Sequence, residues 1–135
     1  MRYILALFLM GCAASVSSPR VIVLPPWALG RTDCVDGVPI SVIRGEMAPA
    51  DSAEVDAHEA RHRRQMTGNC HAFLQRFRDS VQFAVKHELD AYCAGIATRP
   101  VNERQMRRDN LLIYVRTRSG LDEGAIQKMY EEVCS

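Results

Sequence analysis

The pentapeptide His58-Glu59-Ala60-Arg61-His62 constrains the fold more than any other stretch of this sequence. Residues four apart lie on one face of an α-helix, so the imidazoles of His58 and His62 can converge on one point. Val55 and Met66 share this face with the two histidines, because the four residues follow one another at spacings of three and four. We therefore predict a helix that turns both histidines toward the protein interior, where two imidazoles can share a metal ion.

A second predicted helix carries a carboxylate on an apolar face. The side chains that share this face at helical spacing are Phe77, Val81, Ala84, Glu88, Ala91 and Tyr92. A buried carboxylate is costly unless it is paired or bound to a metal, which makes Glu88 a candidate third ligand. Asp90 falls on a different side of this helix and is the weaker candidate. The alternative for Glu88 is a buried salt bridge to an arginine.

The HExxH motif, followed downstream by Glu88 in a Glu-x-x-Ala setting, resembles the gluzincin zinc metallopeptidases, in particular their minimal single-domain members. The resemblance implies that His58, His62 and Glu88 bind zinc. It also implies that Glu59 is the general acid/base, which takes a proton from a zinc-bound water and passes it to the leaving amine. A peptide or protein would be the substrate.

Two positions depart from the gluzincin pattern. Arg61 stands where a small or apolar residue is usual, and we expect its long side chain to reach outward to water. Tyr92 stands four residues after Glu88, where the pattern has an aspartate, so the residues that support the ligands stay unassigned. Ala91 is the small residue that would let the two helices approach. The donor that stabilises the transition state is also open, with the candidates Tyr92, Tyr114, His71 and His87.

The N-terminus has the order of a secretory signal, in which Arg2 precedes a short apolar run over residues 4–10. Leu9-Met10-Gly11-Cys12 resembles the lipobox of bacterial lipoproteins, which implies a lipid anchor on Cys12 and a periplasmic location. The alternative is ordinary cleavage after Ala14, which would release a soluble protein.

The remaining cysteines are even in number and are Cys34, Cys70, Cys93 and Cys134. An even set in an exported chain predicts two disulfides, with three possible pairings. Cys134 is well placed to attach the last helix to the body of the protein. A structural zinc site made of cysteines is the weaker interpretation, because the chain has no CxxC pair.

Length and patterning predict a signal peptide over residues 1–11, a tether over 12–20 and one zincin-like domain over 21–135. The expected elements of that domain are strands at 21–24 and 38–44 with a loop at 27–37 between them, a helix from a cap at Asp51 or Ser52 to Met66, one or two helices over 70–98, and helices over 100–118 and 122–133. We predict an α+β fold, mostly helical with a small N-terminal sheet, in which the HExxH helix packs on the ligand-bearing helix.

Charge gives no reason to expect a nucleic-acid partner. The formal net charge is +1. Arginines are dense in two segments, 61–64 and 99–118, and the second segment also contains Glu103 and Asp109. This pattern favours a solvated helix face over a nucleic-acid surface.

These features predict an exported, lipid-anchored zinc peptidase of the bacterial cell envelope. One alternative is a non-catalytic envelope lipoprotein with a structural or vestigial metal site, and another is an amidase that acts on peptidoglycan cross-links. The presence of Glu59 favours catalysis, because a structural zinc site does not need it.

Overall fold

A computed structural model describes residue 22 and residues 24–134 of the chain. In chain order, the elements of these residues are β1 (Gly30–Val35), β2 (Val38–Ile43), α1 (Pro49–Gln65), α2 (Cys70–Asp79), α3 (Val81–Ile96), α4 (Val101–Ser119) and α5 (Glu123–Val133). Helices dominate, and the two strands form one antiparallel sheet. The predicted α+β class is therefore confirmed.

The two strands form a hairpin whose turn is Asp36-Gly37. Both residues have positive φ, 51° and 79°, and Val35 pairs with Val38 across the turn. Two-residue turns of this kind favour Asp-Gly because both positions need the left-handed region. The prediction of a loop over residues 27–37 is therefore wrong, since β1 occupies most of it. Of the strand predicted at 21–24, the structure describes residues 22 and 24 and places neither in a strand.

The HExxH helix α1 begins at Pro49, before the predicted cap. Its N-cap is Ala48, which makes no side-chain capping bond, so the prediction of a cap at Asp51 or Ser52 is wrong. Proline suits the first helical position, because its φ is already helical and its missing N–H would have no partner there. Asp51 lies in the first turn, where its carboxylate accepts a hydrogen bond from Arg99.

The segment predicted as one or two helices over 70–98 forms two. The Asn69 side chain accepts a hydrogen bond from the backbone N–H of Ala72, at 2.9 Å, and begins α2. Ser80 has an extended backbone and separates α2 from α3. Its hydroxyl accepts a bond from the Phe83 N–H at 3.2 Å, so the same residue caps α3.

The main core lies between α3, α4 and α5. Its buried side chains are Val85, Leu89, Ile96, Leu111, Val115 and Ile126. Helix α5 joins this core, with Met129, Tyr130 and Val133 packed against it. Ile126 is 2% exposed, so the apolar side of α5 is a packing surface.

Two disulfides are present, as predicted, and the structure resolves their pairing. Cys34 bonds to Cys70 and ties β1 to α2. Cys93 bonds to Cys134 and ties the end of α5 to α3, as expected for the last cysteine.

The predicted signal peptide, the tether and Cys12 lie outside the described residues. Within residues 24–134, no helix has the length and apolar character that crossing a membrane requires.

Candidate metal centre

The site forms where α1 packs against α3. Ala91 is fully buried, and Gly95 follows one turn later on the same face of α3. A Cβ atom at Gly95 would lie 2.8 Å from the carbonyl oxygen of Glu54, so the backbones of the two helices meet there. The close approach predicted for Ala91 therefore depends also on a glycine that sequence reasoning missed.

The structure brings the three predicted ligands together. The Nε2 atoms of His58 and His62 are 3.1 Å apart. Glu88 places Oε2 at 3.5 Å from His58 Nε2 and Oε1 at 3.4 Å from His62 Nε2. All three side chains are buried. Helix α3 contributes Glu88 across the helix interface, so the cluster joins the two histidines of α1 to a residue that lies 26 positions after His62 in the sequence.

The cluster fits a divalent cation. Both carboxylate oxygens of Glu88 are buried, and neither accepts a hydrogen bond from any residue in the described part of the chain. A tetrahedral zinc ion with nitrogen and oxygen ligands at about 2.0–2.2 Å separates those ligand atoms by about 3.3–3.6 Å. The 3.1 Å between the two nitrogens, and the 3.4–3.5 Å from each nitrogen to its nearer Glu88 oxygen, lie close to that range. The alternative for Glu88, a salt bridge to arginine, is wrong, because its described ionic partners are the two histidines.

The charges within the cluster are strongly coupled. Burial, and then the proximity of His62, lowers the pKa of His58 to about 3. Burial also opposes the charge on His62, but the Glu88 carboxylate raises the pKa of His62 to about 9. Burial by itself would raise the pKa of Glu88, but the combined attraction of His62, His58 and His87 lowers it. These shifts place one proton on the histidine pair, where it would compete with a cation.

A chain of hydrogen bonds fixes the orientation of His62. Its Nδ1 lies 2.8 Å from Gln65 Oε1, and a proton donated there leaves Nε2 to face the cluster. The Gln65 amide in turn donates to the carbonyl oxygen of His87 at 3.0 Å and to Asp90 at 2.8 Å. Gln65 is thus the supporting residue that the sequence left unassigned. The sequence could have indicated this role, because a residue three positions after His62 is its neighbour on the helix surface.

Asp90, the weaker ligand candidate, lies outside the cluster and contacts it indirectly, through Gln65 and His62. Arg61 donates to both of its carboxylate oxygens at 2.7 Å, through Nε and Nη2. We expected the long side chain of Arg61 to extend into water. It is 41% exposed, but its guanidinium group is paired with Asp90. The paired arginine holds Asp90 against Gln65, which explains how a charged residue is accommodated inside the motif.

Glu59 is buried beside the cluster and is held by strand β1. Its Oε2 accepts a hydrogen bond from the Thr32 hydroxyl at 2.6 Å, and Thr32 is also 2.7 Å from the hydroxyl of Ser41. Burial raises the pKa of Glu59, although the bond from Thr32 opposes that rise. A Cβ atom at Gly30 would lie 2.7 Å from Val55 Cγ1 and 2.8 Å from Glu59 Oε1, so a side chain here would force Val55 and Glu59 to shift. Sequence reasoning missed Thr32 because it assigned this strand to a loop.

Of the four candidate donors, Tyr92 lies at the cluster. Its ring meets that of His58 edge to face, with centroids 4.4 Å apart. Burial raises the pKa of Tyr92 well above its usual value, so it remains a protonated donor. His71 is exposed, His87 stacks among phenylalanine rings, and Tyr114 packs against the main core.

Comparisons with the profiles of known protein families, with curated proteins and with solved structures gave no match. The likeness to gluzincins therefore rests on the motif and on Glu88. The structure establishes a buried group of His58, His62 and Glu88 whose ligand atoms lie within 4.8 Å of one another and could hold a metal ion.

Proposed function

We propose that this chain is a zinc-dependent hydrolase of peptide bonds, with zinc held by His58, His62 and Glu88. The observation that carries the proposal is the burial of Glu88 without a hydrogen-bond partner among the described residues, directly against two imidazole nitrogens. A divalent cation would balance the negative charge of this buried carboxylate in place of the proton on His62. A ligand set of two histidines and one glutamate is typical of catalytic zinc, which keeps a fourth position for water or substrate.

Zinc held by these three residues would lower the pKa of a water molecule toward neutrality and would polarise the carbonyl group of the substrate. Glu59 is the residue that accepts a proton and later delivers it to the leaving amine. Its raised pKa suits both roles, because a carboxyl group that titrates closer to neutral pH can gain and lose a proton readily. The Thr32 hydroxyl holds the carboxylate in one orientation.

Tyr92 supplies a hydrogen-bond donor beside the cluster. Its phenol stays protonated at neutral pH, since burial and the nearby Glu88 disfavour the phenolate. A preorganised donor of this kind stabilises negative charge that develops on the carbonyl oxygen of a substrate.

The decisive experiment joins metal analysis with a substitution of Glu59. Purified protein should contain one zinc ion per chain and should cleave a mixed peptide library. Glu59→Gln should retain the zinc but lose hydrolysis by at least about a hundredfold, as expected for a general acid/base. Asp56→Asn is the matched control, because Asp56 is an exposed carboxylate on the same helix.

Hydrolysis by Glu59→Gln at the wild-type rate would remove the assigned role of that residue. A wild-type protein that binds zinc and cleaves no peptide would instead support the alternative of a structural metal site.

We also propose that the protein is exported and anchored by a lipid on Cys12. The two disulfides support an oxidising compartment, since disulfides are rare in the cytosol. Mass spectrometry of the mature N-terminus tests this directly. A lipidated Cys12 is expected, whereas an unmodified terminus after Ala14 would indicate simple secretion.

A further inference from the structure

A cavity of about 230 Å³ opens beside the cluster, between α1, α3, α4 and the residues that precede β1. His58, Glu59 and Tyr92 form one part of its wall. The remainder is mainly apolar, with Leu29, Val55, Ile96 and Leu111 among its lining residues. A molecule that occupied this cavity would therefore lie directly against the proposed catalytic groups.

The arginines that line the cavity are paired with carboxylates. Arg99 is buried and donates hydrogen bonds to Asp51 and Glu54. Arg107 donates to the same Glu54 oxygen at 2.8 Å. Glu103 also lies within 4.0 Å of both arginines, so Arg99 and Arg107 are already paired with carboxylates. The remaining carboxylate in the wall, Glu59, is held by Thr32. A lysine or aspartate side chain that entered this mainly apolar cavity would lose water, and groups that are already paired compensate that loss poorly.

The volume sets the size of an occupant. An apolar cavity of about 150 Å³ is large enough to bind benzene. The present cavity is larger and is bordered by Gly30 and Gly95, which contribute no side chains to fill it. A phenyl or branched aliphatic side chain fits within it.

We infer that this cavity is a specificity pocket for a large apolar side chain of the substrate, adjacent to the bond that is cleaved. The inference rests on the proposed function, because it takes the cluster as the place of cleavage. It adds the substrate class, namely peptides with a phenylalanine-like or leucine-like residue next to the scissile bond. Charged side chains are disfavoured at that position.

Binding tests the pocket without catalysis. Zinc-loaded Glu59→Gln is titrated by calorimetry with a blocked alanine hexapeptide and with versions that carry one phenylalanine, lysine or aspartate. The phenylalanine peptide should bind at least about tenfold more tightly than the alanine peptide, whereas the charged peptides should gain nothing. Equal binding of the phenylalanine and alanine peptides, or tighter binding of a charged one, would overturn the inference.

A substitution at the cavity wall locates the preference. Met106 lines the cavity and is 52% exposed, so Met106→Trp can narrow the cavity without disturbing the core. It should reduce the advantage of the phenylalanine peptide at least about fivefold. Ile113→Trp is the control, because Ile113 is 65% exposed on the same helix and does not line this cavity. An unchanged preference in Met106→Trp would place the apolar residue elsewhere.

Cleavage of a mixed peptide library by the wild-type protein separates the two proposals. Cleavage sites enriched in large apolar residues on one side support the pocket. Cleavage without such enrichment overturns the pocket and leaves the proposed function standing. A binding preference without any cleavage supports the pocket and contradicts the proposed hydrolysis.

Discussion

Replacing Thr32 with valine removes the hydroxyl that holds Glu59, and the effect follows from the geometry. The hydroxyl lies 2.6 Å from Glu59 Oε2, and both side chains are buried. A hydrogen bond to a charged group contributes about 1.5–3 kcal/mol. If that energy orients Glu59 in the transition state, its loss lowers kcat/KM by about 10- to 150-fold. Zinc content should not change, because Thr32 does not belong to the ligand cluster.

Stability should fall in the same variant. Valine leaves one oxygen of a buried carboxylate without its donor, which costs about 1–3 kcal/mol. Differential scanning calorimetry on the zinc-loaded protein measures this as a lower Tm, and steady-state kinetics on one cleaved peptide measures kcat/KM. Thr32→Ser keeps the hydroxyl and should restore most of both properties. Ser41→Ala removes only the neutral bond to Thr32, so its effect on kcat/KM should stay below about tenfold.

One result would refute this reasoning. If Thr32→Val keeps its zinc, its Tm and its kcat/KM at wild-type values, then the bond from β1 neither orients Glu59 nor offsets its burial. Equal losses in Thr32→Val and Thr32→Ser would show that the packing of the side chain matters, and not the hydroxyl.

Three further outcomes are expected. Glu88→Ala should weaken zinc binding by at least about a thousandfold, whereas Asp90→Ala should cost about 10- to 100-fold as a supporting residue; equal losses in competition titrations would show that the wrong carboxylate was chosen. Zinc binding at pH 7 should release about one proton, because the pKa of His62 is about 9 and its proton occupies the site below that value. Affinity should therefore rise with pH up to about 9, and calorimetry in buffers of different ionisation enthalpy would contradict this if it detected no proton release. Gly95→Ala should destabilise the protein by about 1–3 kcal/mol because its Cβ would meet the α1 backbone, whereas Gly45→Ala, with open space around it, should unfold like wild type in thermal denaturation.

The helices were predictable because their signals are local. Capping residues, prolines and apolar spacing lie within a few positions of each helix end, and the predicted bounds of α4 and α5 fall within about two residues of the observed ones. Strand β1 was missed, although Asp36-Gly37 just before the β-branched residues of β2 is a strong signal for a hairpin. Its apolar residues do not alternate clearly, because one face packs on Glu59 through Gly30 and Thr32.

The metal cluster was predictable in part. Helical periodicity places His58 and His62 on one face and turns Glu88 inward, and each of these properties belongs to a single helix. The supporting residues were not predictable in the same way. The bond from Gln65 to Asp90 joins two helices, so it depends on how those helices are placed relative to each other.

The sequence by itself determined which side chains each helix turns inward and that the cysteines could form two disulfides, because 3.6 residues per turn and the number of cysteines are properties of the chain alone. Only the tertiary structure decided that Glu88 meets the histidines while Asp90 pairs with Arg61, and that Thr32 reaches Glu59. These contacts span 26 or more residues of sequence. Their geometry follows from the close approach of α1 to α3 and from the hairpin folded over α1, which no local pattern of residues specifies.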